Sequence, residues 1–324
     1  MQKFSLLRGF LVLWLMHSFF FSPIAAQIVP NESFIGLQYR GLQQQGVARY
    51  LLFHNTTATN LAYHQHYIYD PFTEAIEQAK QLELQAQYYL NVRTIVQVQL
   101  PYQINQRYLS DTLQMKKQGV GDVKVLGKYV VYSSTLFSLN EKVKHLLILG
   151  GGVKLPSGAY TTFIDNEIEP HAQVGSGSTD FLGTALYNLS YNKIGGLLQA
   201  NYAYKQTNKF TYKYGNTLNV EMLLSYRMLL AKKYEAIPML KLGYTNSLSD
   251  SMNETAVPEN TGGQWYWTHL GAALTAERWQ LQVMYGLPIV AKPIGTQLKY
   301  TGFVQINTFY LMKKQPLRLN IRLI

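Results

Sequence analysis

The sequence predicts an all-β protein, a single antiparallel transmembrane β-barrel of the bacterial outer-membrane type with about twelve strands. Three observations lead there. Apolar and polar residues alternate over many short segments, the connections between those segments are sorted by length, and an N-terminal apolar stretch reads as an export signal.

Alternation is clearest in Val96-Gln97-Val98-Gln99-Leu100-Pro101-Tyr102-Gln103-Ile104-Asn105. Successive side chains on a strand point to opposite faces, so this segment carries one apolar face and one glutamine-rich face. Leu218, Val220, Met222, Leu224, Tyr226 and Met228 alternate in the same way with Thr217, Asn219, Glu221, Ser225 and Arg227. Strands are expected near residues 33–40, 81–90, 93–106, 121–132, 144–155, 179–191, 195–206, 217–229, 236–246, 264–275, 279–287 and 297–310. Pro101 is the anomaly, because proline removes a donor from a strand interior.

The connections carry the second signal. Asn91-Val92, Asn192 to Ile194, Ala231 to Glu235 and Ala276 to Arg278 are short, whereas Leu109–Gly119, Pro156–Gly177, Thr207–Asn216, Asn246–Gly263 and Pro288–Thr296 are longer. Outer-membrane barrels have short periplasmic turns and longer outer loops, which puts Asn91, Ile194, Lys233 and Arg278 at the periplasmic rim. Residues 41–80 are expected to form a long outer loop or a luminal segment. In an alternative reading they hold a strand pair, Arg49–His54 and Leu61–Tyr69, and a short helix at Phe72–Lys80, which raises the count to fourteen strands. The tail, residues 311–324, alternates again from Leu317 onward.

Residues 1–26 read as a signal peptide. Lys3 and Arg8 precede an apolar core from Phe10 to Phe21, and Pro23-Ile24-Ala25-Ala26 offers a cut before Gln27. The core is shorter than the roughly 20 residues of a spanning helix. Residues 27–324 are then one barrel domain bound for the outer membrane, with membrane lipid, lipopolysaccharide and a small solute as partners.

Composition excludes several function classes. The 324 residues contain no cysteine, which removes disulfides and thiolate metal sites. The formal charge of +11 becomes +9 once Lys3 and Arg8 leave with the signal. The basic residues are scattered and accompany no nucleic-acid motif, so nucleic acid is not an expected partner. A basic rim against anionic headgroups, or a basic lumen, suits this charge better. The 25 tyrosines suit the aromatic girdles of a membrane barrel.

Three glycine-containing motifs punctuate the chain: Gly119-Val120-Gly121-Asp122, then Gly150-Gly151-Gly152-Val153-Lys154-Leu155-Pro156-Ser157-Gly158, then Gly175-Ser176-Gly177-Ser178-Thr179-Asp180-Phe181. In this order and spacing, together with Leu100-Pro101-Tyr102, they resemble the outer-membrane β-barrel family known for its phenol meta-pathway members. The resemblance covers residues 80 to 210 best and departs at Ser157 and Thr179, where threonine and an aromatic are common in that family. It implies a barrel and membrane passage, and it supplies no catalytic residue. Physically, the glycines read as turn and bulge residues. No Gly-Lys-Ser/Thr follows them and no helix begins there, so they form no phosphate cradle.

Strand parity nominates the lumen. If Val123, Val125 and Tyr129 face lipid, then Lys124 and Lys128 face inward. The same parity directs Arg93, Gln97, Gln99, Arg227 and Lys299 inward, opposed by Glu83 and Glu221. Such residues would tune passage of a small solute, with anions or polarisable aromatics favoured. Interior ion pairs bracing a filled barrel are the structural alternative. His64 and His66 share a strand face, but a metal site needs three or four ligands, so neither a metal nor a cofactor is expected. His171, Ser178 and Asp180 crowd one loop without a nucleophile turn or an oxyanion donor, so no enzymatic activity is expected. A second function class is a non-conducting structural or ligand-binding barrel that acts through its outer loops.

Overall fold

Period-two patterning becomes a wall when every strand finds two neighbours. The computed structural model describes residues 57–311 apart from 71–74, 91–92, 110–111, 135–141, 162, 165–166, 169, 171–172, 232–233, 254, 258–260, 277–278 and 296–298. In chain order the strands are β1 (Thr57–Asp70), β2 (Ala75–Tyr89), β3 (Thr94–Leu109), β4 (Thr112–Val120), β5 (Lys124–Ser133) and β6 (Val143–Lys154). Then come β7 (Phe163–Ile164), β8 (Glu167–Ile168), β9 (Asp180–Tyr191), β10 (Ile194–Tyr204), β11 (Tyr212–Lys213), β12 (Thr217–Tyr226) and β13 (Met228–Ala231). The series ends with β14 (Tyr234–Ser247), β15 (Asp250–Met252), β16 (Thr255–Val257), β17 (Gly263–Ala276), β18 (Trp279–Pro293) and β19 (Lys299–Leu311).

Among the described residues, twelve strands pair antiparallel in a closed cycle, β1-β2-β3-β5-β6-β9-β10-β12-β14-β17-β18-β19 and back to β1. The other strands extend this ring. β4 pairs with the second half of β3 and prolongs the line of β5 past the outer rim, while β13 prolongs β12 along β14. The short strands β7 and β8, and likewise β11, β15 and β16, form two small sheets in the connections at that outer end. Closure leaves no sheet edge, which is the condition for a β-structure to cross hydrocarbon.

The two faces are inverted relative to a water-soluble protein. Leu84, Val98, Leu100, Tyr129, Leu149, Leu198, Met222, Leu242, Leu270 and Val283 point outward and are exposed. Gln85, Gln99, Lys128, Asn188, Gln199, Glu221, Lys241 and Gln282 alternate with them and are buried inside. Large apolar side chains all round the outside, with amides and charges within, require a lipid surround. The chain is an antiparallel barrel of the outer-membrane type.

Several expectations change in detail. Residues 1–56 and 312–324, including the signal peptide, the strand at 33–40, the pair member Arg49–His54 and the alternating tail, lie outside the described residues. The 41–80 segment is not a loop or luminal insert over its second half, because β1 occupies residues 57–70 and joins β2 to β19. The helix expected at Phe72–Lys80 is instead strand from Ala75 onward. Ala, Glu, Gln and Lys are good helix formers, yet partners on both sides, in β1 and β3, override that local preference.

Leu109–Gly119 is likewise strand rather than loop over residues 112–119. Both faces of β4 are largely exposed, so its sequence has no reason to alternate. β18 runs on to Pro293, which leaves only residues 294–298 where Pro288–Thr296 was expected to loop. Loop lengths are therefore less cleanly sorted than the sequence suggested. Asn91, Lys233 and Arg278 lie outside the described residues, but the strand ends Tyr191, Ile194 and Tyr226 share one rim, as do Tyr234 and Ala276.

Pro101 finds its explanation in register. Its carbonyl accepts the Gly121 N–H at 2.8 Å, so its nitrogen points to the same side, toward the β4–β5 line. That line is interrupted at Gly121-Asp122-Val123, between the Tyr102↔Val120 and Gln99↔Lys124 pairs. The missing donor therefore faces the one place where the neighbouring strand offers no regular ladder partner.

Candidate functional site

The barrel interior is layered. Toward the rim where Tyr191, Ile194 and Tyr226 meet, inward positions of successive strands carry Ile95, Val130, Leu146, Ile148, Leu186, Leu197, Leu223, Ile237, Met239, Ala273 and Met284, which pack as one buried apolar cluster. Ile148 and Leu186 are direct cross-strand partners, as are Leu197 and Leu223. The apolar layer needs inward residues of the same kind at the same height on neighbouring strands.

Beside it stands an aromatic wall built by Trp265, Trp267 and Phe303. The His269 and Phe303 rings meet edge to face at 4.5 Å across β18. Gly286 is the register partner of both, and a Cβ there would stand 2.4 Å from the Phe303 ring. Only glycine leaves room for that contact.

Amides and charges line the remaining interior. Glu221 and Lys241 form a buried ion pair at 2.7 Å. Glu83 accepts hydrogen bonds from its strand neighbours, Gln81 at 3.1 Å and Gln85. Asn307 donates to Gln282 at 3.3 Å, and Gln305 donates to Asn307 at 3.3 Å.

The opposite mouth, at the end of the long connections, is where the three glycine-containing motifs converge. Asp122, from the break between β4 and β5, accepts the Gly158 N–H at 3.0 Å through Oδ1. Its Oδ2 accepts the Ser176 N–H at 2.8 Å and the Ser176 hydroxyl at 2.6 Å. Lys154 Nζ lies 3.2 Å from Asp122 and 2.5 Å from Asp180, and it also donates to Ser176 Oγ. Ser157 Oγ accepts the Val123 N–H at 2.8 Å and donates to the Gly121 carbonyl at 3.0 Å.

Gly158 and Gly175 let the two loop strands touch. A Cβ on Gly158 would fall 2.6 Å from the Gly175 Cα, a separation that no side chain tolerates. Further along, Asn105 on β3 donates to the Gln173 carbonyl at 3.0 Å, which draws the long connection inward over the mouth. Asp250 completes the assembly by accepting the Gly215 N–H at 2.7 Å and the Tyr212 hydroxyl.

The nominated lumen residues separate into three groups. Gln97, Gln99, Lys128 and Glu221 are buried on the inward face, and Lys124 is inward by register opposite Gln99. Arg93 does not line the interior: it precedes β3, where alternation gives way to the turn, and reaches the outward-facing Tyr129 hydroxyl at 3.5 Å. Arg227 keeps an inward position by register, in line with the buried Ile237 on β14, and lies near the rim, 3.9 Å from Glu235.

The side chain of Lys299 lies outside the described residues; its backbone pairs with Tyr69, beyond a register slip between Tyr67 and Ile68. The His64 backbone pairs with Gln81 and Gln305, and the side chains of both His64 and His66 lie outside the described residues. His171 also lies outside them, and Ser178 spends its hydroxyl on Asp180 at 2.9 Å.

Sequence reasoning missed Asp122, Lys154, Lys205 and Asp180 as one site. Each stands at a strand end beside a glycine motif or a long connection, and nothing in strand periodicity indicates that these ends meet.

No protein-family model matches the chain, and no curated protein matches it. Solved structures do. The COG4313 outer membrane channel from Pseudomonas putida F1 aligns with a TM-score of 0.59 at 12% identity, covering 88% of this chain and 100% of that one. The beta domain of the Bordetella autotransporter BrkA aligns with a TM-score of 0.45 at 12% identity, over 80% of this chain and 100% of its own. The NanC porin aligns with a TM-score of 0.40 at 8% identity, over 78% and 98%. The likeness to the first of these is one of fold, and the fold that it shares with this chain is that of an outer-membrane barrel.

Proposed function

We propose that the protein resides in the outer membrane and mediates passive passage of a small amphipathic solute, one with an aromatic or aliphatic body and an anionic group. The observation that carries this reading is the layering of the closed ring, a charged polar mouth above an inward apolar cluster with an aromatic wall beside it. A wholly hydrophilic pore has no use for apolar residues on inward positions of so many strands. The same layering suits a solute that is desolvated in part while its polar group stays hydrogen-bonded. Likeness of fold to an outer membrane channel agrees with this reading.

The interior cations alone do not carry the weak anion preference that the sequence suggested. Two of the nominated cations, Arg93 and Arg227, stand at the rim, and the interior Lys241 is paired with Glu221. The test is uptake into proteoliposomes, comparing ionised benzoate with glucose. Faster entry of benzoate than in protein-free vesicles, with little entry of glucose, is the expected result. Equal rates with and without protein for both would remove passage and leave the ligand-binding barrel as the better reading.

A further inference from the structure

One inward row of charge spans four neighbouring strand ends at the outer mouth. Lys124 on β5 pairs in register with Lys154 on β6, and Lys154 with Asp180 on β9. The pairing of β9 with β10 ends at Phe181↔Tyr204, so Lys205 comes next, beside Asp180. Gln206 N–H donates to Asp180 at 3.1 Å, and Lys205 N–H donates to Asn216 Oδ1 at 2.9 Å, which fixes the backbone there.

Within this row only the middle lysine is held in ion pairs. Lys154 is clamped by Asp122, Asp180 and Ser176. Lys124 and Lys205 flank it; among the described residues neither stands at ion-pair distance from a carboxylate, while the buried Glu83 carboxylate acts on Lys124 through space. The Lys205 ammonium lies over the Tyr214 ring, 5.8 Å from its centroid. The charges that face it are Lys154 from β6, Lys124 from β5, Asp180 from β9 and Asp250 from β15. Both aspartates are already engaged, Asp180 by Lys154 and Ser178, and Asp250 by Gly215 and Tyr212.

Loss of hydration and, after it, repulsion from Lys154 bring the Lys205 pKa down to about 8, although Asp250 and Asp180 pull the other way. A cation held in this way, partly dehydrated and without a carboxylate of its own, is completed by an incoming anion.

We propose that Lys205, with Lys124, is the seat for a carboxylate on the entering solute, and that the apolar body of the solute is then directed toward the interior. This deepens the function proposed above and rests on it. The three strand spacings between the two lysines amount to roughly 14 Å of wall, so a carboxylate engages them in turn along the row or from between their extended side chains.

The test uses the full-length protein in detergent micelles, with binding of para-fluorobenzoate followed by fluorine NMR and neutral para-fluorobenzyl alcohol as the control. Lys205→Met is expected to weaken para-fluorobenzoate binding about tenfold at neutral pH and to leave the alcohol unaffected. In the unsubstituted protein, affinity for the carboxylate should fall as the pH rises through about 8, because the ammonium is lost there. Lys205→Arg should keep the affinity and abolish that step, because arginine stays charged.

Unchanged carboxylate affinity in Lys205→Met, or a surviving pH step in Lys205→Arg, overturns the seat. Charge-dependent binding without any flux overturns passage and leaves the seat standing. Flux that ignores the charge at residue 205 does the reverse.

Discussion

Asp122 and Lys154 stand 3.2 Å apart across the single interruption in the β4–β5 line. The contact ties the break in one strand to the end of the next, and through Gly158 and Ser176 it ties the long connection after β6 to both. Breaking it should free the outer connections without unfolding the ring.

Asp122→Ala is therefore expected to leave the barrel assembled while its loops become cleavable by trypsin. Lys154 keeps Asp180, so the loss of stability should be about 1–3 kcal/mol, below the cost of stranding a buried charge outright. Limited proteolysis together with the heat-dependent gel shift of a folded barrel measures both. A loop as resistant as in the unsubstituted protein would show that Asp122 does not hold it.

Pro101→Ala should change stability little, by roughly 0.5 kcal/mol or less, because the restored N–H points to the β4–β5 break. Gln99→Pro, two residues earlier on the same side, should cost roughly 1–3 kcal/mol, since it removes a donor that faces the paired Lys124. Urea unfolding of the two variants in micelles compares them directly. Equal losses would contradict the register explanation.

The Glu221–Lys241 pair is buried, with a separation of 2.7 Å. Glu221→Gln or Lys241→Met alone should destabilise the barrel by roughly 3 kcal/mol, because each strands one charge. The double variant should recover much of that loss. A thermal-unfolding double-mutant cycle is the measurement, and strict additivity would mean that the pair is not coupled.

The apolar layer predicts a conductance effect. Ile148→Ser combined with Leu223→Ser places hydroxyls on inward positions of β6 and β12. Apolar constrictions resist wetting, so small-ion conductance in planar bilayers should rise several-fold. Unchanged conductance would place the barrier to ions elsewhere.

Lys205 also predicts a pH effect on stability. Its folded pKa of about 8 lies below that of an unfolded lysine, so the unfolded state binds the proton more tightly. The cost of holding the charged form is fully present below about pH 8 and diminishes as the pH rises from there toward the unfolded value. Lys205→Met should therefore raise the unfolding temperature at pH 7 more than at pH 10. A constant difference would mean that Lys205 does not titrate in this range.

Much of the architecture was legible because a strand has a period of two. Gln97, Gln99, Lys124, Lys128 and Glu221 could be placed inside by parity alone, and each lies on an inward position in the ring. Parity fails where the chain leaves the strand or slips by a residue. Arg93 lies at the first kind of place, and the backbone beyond the bulge opposite Tyr67 and Ile68 at the second. β1 was legible only as an alternative, since nothing local tells a terminal strand from a strand within a long loop.

The sequence by itself determined the fold class, because alternation with apolar residues outside can be stable only as a closed wall in lipid. Only the tertiary structure decided which strand ends meet. It joined Asp122, Lys154, Asp180 and Lys205 across residues distant in the chain and explained Pro101 by a break in its neighbour. Side-chain direction is a local property and can be read along the chain. Ring closure and register are set by pairing between strands, and so is the meeting of one glycine loop with another.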